Sequence, residues 1–383
     1  MFINRGTKMF EHKDNLHELT KKGSLSDKLK ATHRSINESF PFIVRIAIAI
    51  YDPETKILKT FLHSSGDDHP LDNYQSLLEN APSLQAILDK GQPRVINNLY
   101  EYEAGENEHT HKIKDFGYAA SYTMPIYNEG IFIGFLFFNS KIKDVFNESV
   151  LSHLDLYGHM ISLLVINELS SIQTLTAAIK TTGSISHLRD PETGSHLDRM
   201  SRYSRIIAKA LADKYDLNDT YIEHIFMFAP LHDIGKVGIP DNILLKPGPL
   251  SEEESIVMKT HSRKGKEMID DLLENFALVN FEHVDVLRNI AEFHHEAVNG
   301  TGYPNGISGQ EIPLEARIVA VADVFDALTS VRSYKEAWSN EKAIETLNEL
   351  AGELLDMDCV NALIDNLDKV IEIQEQFKED TIG

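Results

Sequence analysis

Two hydrophobic rhythms divide this chain, and the place where one gives way to the other limits its fold more than any other feature. Between residues 42 and 139 the apolar residues come in short runs rich in Ile, Val, Phe and Ala. Turn compositions such as Asp52-Pro53-Glu54-Thr55 and Asn128-Glu129-Gly130 separate them, as between strands joined by tight connections. Beyond Thr182 no alternating pattern appears. Helical spacing covers residues 199–215, 220–235, 252–276, 283–296, 313–327 and 340–350. The expected fold is an α+β first half and an all-α second half.

Within the first half, strands are predicted over 42–51, 56–64 and 94–99, a helix over 71–90, and a hairpin over 119–127 and 131–139. One antiparallel sheet with helices on its faces accommodates them. This order resembles a GAF domain over roughly residues 30–165, which implies a sensor whose ligand, if it has one, the residues do not name. The expected divisions are an N-terminal arm over 1–29, the GAF-like domain over 30–146, a connecting helix over 147–181 and the helical domain over 182–383. His109 and His111 read as part of a polar loop.

From Asn147 to Thr181 there is no proline, and no glycine except Gly158. Leu151, Leu154, Ile161, Val165, Ile172, Leu175 and Ile179 follow a three-four spacing that only Gly158 and Glu168 interrupt. Such spacing can form a seam between parallel helices. Burial against its own domain is the alternative, since Leu163, Leu164 and Ile166 make other faces apolar. The expectation is a homodimer paired through this helix, with a coiled coil as one form of that pairing.

Composition narrows the function. Lys+Arg number 37 against Asp+Glu 59, a formal charge of −22, which argues against a long nucleic acid as partner. A small anionic ligand remains compatible if bound cations supply positive charge. The single cysteine, Cys359, excludes an internal disulfide framework and fits a reducing cytosol. The longest apolar runs, such as residues 131–138, fall short of the ~20 residues of a membrane helix. No charged, then apolar, then small-residue leader opens the sequence. A cytoplasmic protein without a membrane partner is expected.

The chain has 17 His, and the informative ones lie between 190 and 300. His232-Asp233 ends an apolar segment, and a lone pair of this kind is weak evidence. On a helix the two side chains would point about 100° apart, so they could serve a cluster only if the carboxylate bridged two ions. Four residues separate Glu192 from His196, which suits one face of a helical turn. His261 lies inside a helical pattern, and His294-His295 form a second adjacent pair. Asp323 sits in the apolar run Val319-Ala320-Val321-Ala322, an unlikely place for a carboxylate without a strong partner. Nitrogen and oxygen donors without thiolate suit Mn, Fe, Co, Ni or Zn. Any one of these histidines alone would more often be a hydrogen-bonded core or surface residue. Together, the eight candidates Glu192, His196, His232, Asp233, His261, His294, His295 and Asp323 suffice for two or three ions.

The run His232-Asp233-Ile234-Gly235-Lys236-Val237-Gly238-Ile239-Pro240 and the later Lys246-Pro247-Gly248-Pro249-Leu250 closely resemble the HD-GYP phosphodiesterases. So do His294-His295-Glu296 with Asn299-Gly300-Thr301-Gly302-Tyr303-Pro304, and the run from Ala322-Asp323 to Thr329-Ser330. The resemblance spans about residues 185 to 365. It implies an all-helical HD hydrolase that splits cyclic di-GMP with iron or manganese. By the same resemblance His196, His232, Asp233, His261, His294, His295 and Asp323 are metal ligands, with Asp233 bridging. Glu192 matches the glutamate of a subgroup with a third metal. Lys236, Tyr303, Arg332 and Lys335 match positions that contact substrate, with Asp233 and Lys236 carrying catalysis. His187, Asn299 and Ser333 depart from the usual pattern, and none is an expected ligand.

The expected reaction is attack of a metal-activated water on one phosphodiester, giving linear pGpG, with a second round giving GMP. The sensor-like domain would regulate it. Two alternatives stay open: the same chemistry on cyclic GMP-AMP or another cyclic dinucleotide, and a degenerate domain acting as a cyclic-dinucleotide receptor or interaction module.

Overall fold

A computed structural model of the protein describes residues 12–66, 71, 74–101, 108–187, 194–275, 283–330 and 337–378. The chain divides into two compact units. One holds the sheet and continues to Val165. The other, helical, takes Ile166 to the C-terminus together with residues 59–61 and 72–75.

The first unit opens with α1 (Leu25–Ser39), which starts where Ser24 and Asp27 form a reciprocal capping box. The helix therefore begins inside the segment expected to be an arm. Among the described residues six strands follow: β1 (Ile43–Asp52), β2 (Ile57–Ser64), β3 (Gln75–Leu77), β4 (Arg94–Ile96), β5 (Ala120–Asn128) and β6 (Ile131–Ser140). They form one sheet in the order β3-β2-β1-β6-β5-β4. The pairs β1–β6, β5–β6 and β4–β5 are antiparallel. The helix expected over 71–90 is shorter. Its first part is β3 and a 3-10 turn, and α2 (Pro82–Lys90) begins at a proline and ends at Gly91 with φ 62°. A further short helix, α3, covers Glu108–Asp115.

One sheet face packs Ala47, Ala49, Phe135 and Phe137 against Leu84 and Ile87 of α2. His33 ties α1 to the sheet: its Nε2 donates to the Ile43 carbonyl and its Nδ1 accepts from Ser64 Oγ, both at 2.8 Å. In the middle of β6, a Cβ on Gly134 would lie 2.0 Å from the Ala49 carbonyl oxygen.

The long helix α4 (Glu148–His187) corrects the reading of the three-four seam. Leu154, Ile161 and Val165 are at most 1% exposed within the chain, and Ile172 is buried in the helical core. Gly158 explains its own place in the pattern, because a Cβ there would lie 2.4 Å from Met124 Sδ of β5. The side chains of Leu175 and Ile179 lie outside the described residues. The seam is thus a face packed within the chain. The large apolar side chains left exposed, Leu156 and Leu163 at 73% and 67%, project from the opposite side. Over Glu148–Thr174 this helix is also long and apolar enough to cross a membrane by length and composition, with mean hydropathy 1.3. No single apolar run reveals this, since Ser, His and Asn interrupt it, and its seam residues are already buried on protein.

The second unit comprises α5 (Gly194–Ala210), α6 (Ala212–Tyr215), α7 (Asp219–Phe228), α8 (Asp241–Leu244), α9 (Glu252–Lys259), α10 (His261–Asn275), α11 (Val284–Phe293), α12 (Leu314–Thr329), α13 (Asn340–Leu350), α14 (Met357–Ile364) and α15 (Leu367–Gln376). Three expected helices break: the one over 199–215 divides at Leu211. The one over 220–235 stops at Phe228, before Pro230, and the one over 252–276 divides at Thr260. Met200, Tyr203, Ile225, Phe228, Leu287 and Phe325 are among the fully buried residues of one continuous core.

Gly134→Ala should destabilise the sheet unit by about 3 kcal/mol or more, because a backbone oxygen cannot yield as a side chain can. A urea denaturation curve followed by sheet circular dichroism reads the loss. In the helical unit, His224 is fully buried and its Nδ1 donates to the Thr220 carbonyl at 2.6 Å. Burial pushes its pKa down to about 4. The unfolded imidazole therefore takes up a proton first as pH falls, so His224 lowers folding stability by about 2 kcal/mol between pH 7 and 5. His224→Gln should flatten that part of the stability–pH curve, as measured by urea unfolding at both values.

Candidate metal centre

The helix breaks assemble this site. His232 and Asp233 lie between the 3-10 turns Ala229–Leu231 and Ile234–Gly238. That geometry removes the divergence a continuous helix would impose: His232 Nε2 lies 3.3 Å from Asp233 Oδ2. Gly235 lets the same segment lie against α10, because a Cβ there would fall 1.8 Å from the His261 carbonyl oxygen. His261 opens α10 immediately after the break. His294 caps α11 with φ −64° and ψ −12°, and its ring centroid lies 4.0 Å from that of His295.

Two groups of donors result. Asp233, His261, His294 and His295 form one, and His196, His232 and Asp323 the other, with the donor atoms of each within 4.8 Å of one another. Asp233 stands between them. Its Oδ1 is 3.1 Å from His261 Nε2 and 3.6 Å from His294 Nε2, while its Oδ2 faces His232 and lies 2.8 Å from Lys236 Nζ. Asp323 Oδ1 is 4.0 Å from His232 Nε2. Seven of the eight expected ligands thus converge, and Glu192 lies outside the described residues.

The protonation pattern favours a cation. The Nδ1 atoms of His232, His261 and His294 lie 2.8–2.9 Å from the carbonyls of Ala229, Met258 and Ile290. A carbonyl carries no proton, so each Nδ1 donates, which leaves Nε2 as the atom each ring offers to a cation. Burial pushes His294 down from the ordinary imidazole range. Burial, aided by the neighbouring His294, holds His295 well below it. Burial opposes the charge on Asp233, yet the charged groups beside it, Lys236 foremost, outweigh it and keep the carboxyl well below the usual range. Lone pairs therefore meet an ionised carboxylate, and among the described residues the buried atoms Asp233 Oδ1 and His294 Nε2 find no hydrogen-bond partner. Adjacent acceptors of this kind repel unless a cation lies among them. The donor set fits divalent ions served by nitrogen and oxygen.

Sequence reasoning missed the support behind His196. Asp326, one turn after Asp323 on α12, is fully buried. It accepts from His196 Nδ1 at 2.7 Å, from Arg199 Nε at 2.6 Å and Nη2 at 2.9 Å, and from Ser330 Oγ at 3.0 Å. Burial disfavours its charge, but these donors prevail and its pKa falls. Its signal was present: Asp326 follows Val324-Phe325 in the same apolar helix, the context that singled out Asp323.

Of the expected substrate contacts, Lys236 and Tyr303 lie beside the cluster, and Arg332 and Lys335 lie outside the described residues. The Tyr303 ring centroid is 4.7 Å from that of His295 and 6.2 Å from that of His261. Burial, with the charges of Asp233 and Asp323, raises its pKa, so its hydroxyl stays a donor. Asp323 and Lys236 are about one-fifth exposed, which leaves the centre open to solvent. Asp326→Asn should preserve shape yet reduce metal affinity by about 10–100-fold, because the orienting carboxylate is lost. Competition with a chelating dye measures the change.

The HD domain family matches residues 191–359. The cyclic di-GMP phosphodiesterase response regulator RpfG of Xanthomonas campestris is 46% identical over 189 residues, covering 49% of this chain and 47% of that protein. The 3'3'-cGAMP-specific phosphodiesterase 2 of Vibrio cholerae is 37% identical over 191 residues, covering 50% and 34%. The chain thus spans about half or less of these relatives. Among solved structures, the GAF domain of an Acinetobacter phosphoenolpyruvate-protein phosphotransferase is 14% identical with a TM-score of 0.33, covering 41% of this chain and 91% of that one. Through the segment 191–359, with its ordered motifs and convergent donors, this chain is similar to the HD domain family.

Proposed function

We propose that the helical unit is a metal-dependent phosphodiesterase that hydrolyses cyclic di-GMP to linear pGpG and, in a second round, to GMP. The observation that carries this reading is Asp233, one carboxylate set between two histidine groups, with Lys236 on its Oδ2 side. Ions held by His196, His232, Asp233, His261, His294, His295 and Asp323 would supply Lewis acidity and an activated water. Iron or manganese suits these donors, and Glu192 would serve a third ion. Lys236 neutralises charge on the non-bridging phosphoryl oxygens as a compact point charge. Tyr303 offers a ring for stacking on a base and a protonated hydroxyl for hydrogen bonding. Arg332 and Lys335 complete the proposed substrate contacts.

Relatives named both for cyclic di-GMP and for 3'3'-cGAMP support a second reading, the same chemistry on the mixed dinucleotide. A receptor without turnover has less support, because the described ligands are all gathered. We further propose a cytoplasmic homodimer regulated through its sheet unit. Any pairing along α4 must use its exposed side, since the seam residues are packed within the chain.

Anaerobic purification, metal quantitation and chromatography of products from several cyclic dinucleotides test the proposal. Asp233→Ala should abolish both metal retention and turnover. Full activity in that variant would refute the mechanism, and metal-loaded wild-type protein that binds but never cleaves would favour the receptor.

A further inference from the structure

Glu296 is a buried titratable group with no place in the reaction proposed above. It follows the ligand pair His294-His295 and is only 5% exposed. Its Oε1 accepts from the backbone N–H of Asn305 at 2.7 Å and of Gly306 at 3.1 Å. Its Oε2 is buried and finds no hydrogen-bond partner among the described residues. Burying a carboxylate on two amide donors alone is costly, so the arrangement calls for a compensating role.

The atoms it holds suggest that role. Residues 297–306 leave the His295 position and fold back over it. Tyr303 N–H donates to the His295 carbonyl at 3.1 Å. A Cβ on Gly302 would lie 2.3 Å from Ala297 N and 2.5 Å from Glu296 Cα, so the returning strand touches the departing backbone. One turn before Glu296, Glu292 accepts from the Asn305 side chain at 3.3 Å and is itself paired with Lys266 at 2.8 Å. Two carboxylates on one side of α11 and its extension therefore clamp Asn305 and Gly306, two and three residues past Tyr303. The Tyr303 ring in turn covers His295.

We propose that Glu296 is a positioning residue that fixes Tyr303 over the metal-binding histidines by holding the far end of its loop. This rests on the reading of Tyr303 as a substrate contact and adds the residue that sets its place. Glu296 acts through the loop and touches neither substrate nor ligand set.

A double-mutant cycle with Glu296→Ala and Tyr303→Ala on the metal-loaded full chain tests it. Each single change should raise KM for the cyclic dinucleotide about tenfold with metal content retained. The pair together should also raise it about tenfold, where independent roles would multiply to about a hundredfold. Glu296→Gln keeps an oxygen facing the two amides and should remain within about threefold of wild type. A 3-fluorotyrosine placed at position 303 gives a readout without turnover: its 19F resonance should be single and sharp in wild type and Glu296→Gln, and shifted or broadened in Glu296→Ala. Multiplying effects, an unmoved resonance in Glu296→Ala, or Glu296→Gln behaving as Glu296→Ala would each overturn the proposal. If wild type cleaves no cyclic dinucleotide, the functional reading fails while the fluorine spectra still decide the positioning role.

Discussion

The centre depends on where the protons of its imidazoles are pinned. Backbone carbonyls receive Nδ1–H from His232, His261 and His294, and Asp326 receives it from His196. Each ring is fixed in tautomer and in rotation, so its Nε2 lone pair is aimed before any cation arrives. Without a cation among them, these lone pairs would confront the charge of Asp233, at a cost. Part of that cost is offset by Lys236, whose ammonium contacts the same carboxylate. Preorganisation of this kind lets a site bind ions without paying to reorient its ligands.

Helix breaks deliver the donors, and each has a local cause. Proline at 230 removes an amide from the turn before His232. Gly235 permits backbone contact with α10, and the division at Thr260 makes His261 the first residue of a new helix, with its Nδ1 turned back to Met258. Sequence-adjacent side chains that diverge on a helix converge once the helix ends between them. Continuous helices would have kept the core and lost the centre.

Much of this was legible in the residues. Short apolar runs bounded by turn residues gave the strands, and a carboxylate in an apolar run, Asp323, pointed to the cluster. What escaped was set by tertiary contact. The spacing from Leu151 to Ile179 has the same form whether its partner is another chain or a sheet of its own, and only the approach of Gly158 to Met124 tells the two apart. Residues 71–90 carry helical spacing, yet Gln75–Leu77 joins the sheet edge as β3, a case of pairing overriding local preference. Arg199 and Asp326 are 127 residues apart, a distance across which spacing carries no information, although the apolar surroundings of Asp326 resemble those of Asp323.

The chain and its proposed substrate carry charge of the same sign, and −22 should repel a phosphodiester. Distance resolves the conflict. At physiological ionic strength exposed charges are screened beyond about 8 Å, so the many surface carboxylates contribute little at the centre. What a phosphoryl group would meet there is set within a few ångströms: imidazoles, two carboxylates able to hold cations, Lys236 and the protonated hydroxyl of Tyr303. Long nucleic acid spreads its charge over many screening lengths and meets the acidic surface along all of them. A compact diester has only to reach one small region whose sign the bound ions reverse. The same acidity that disfavours the polymer therefore leaves a small phosphodiester as an acceptable ligand.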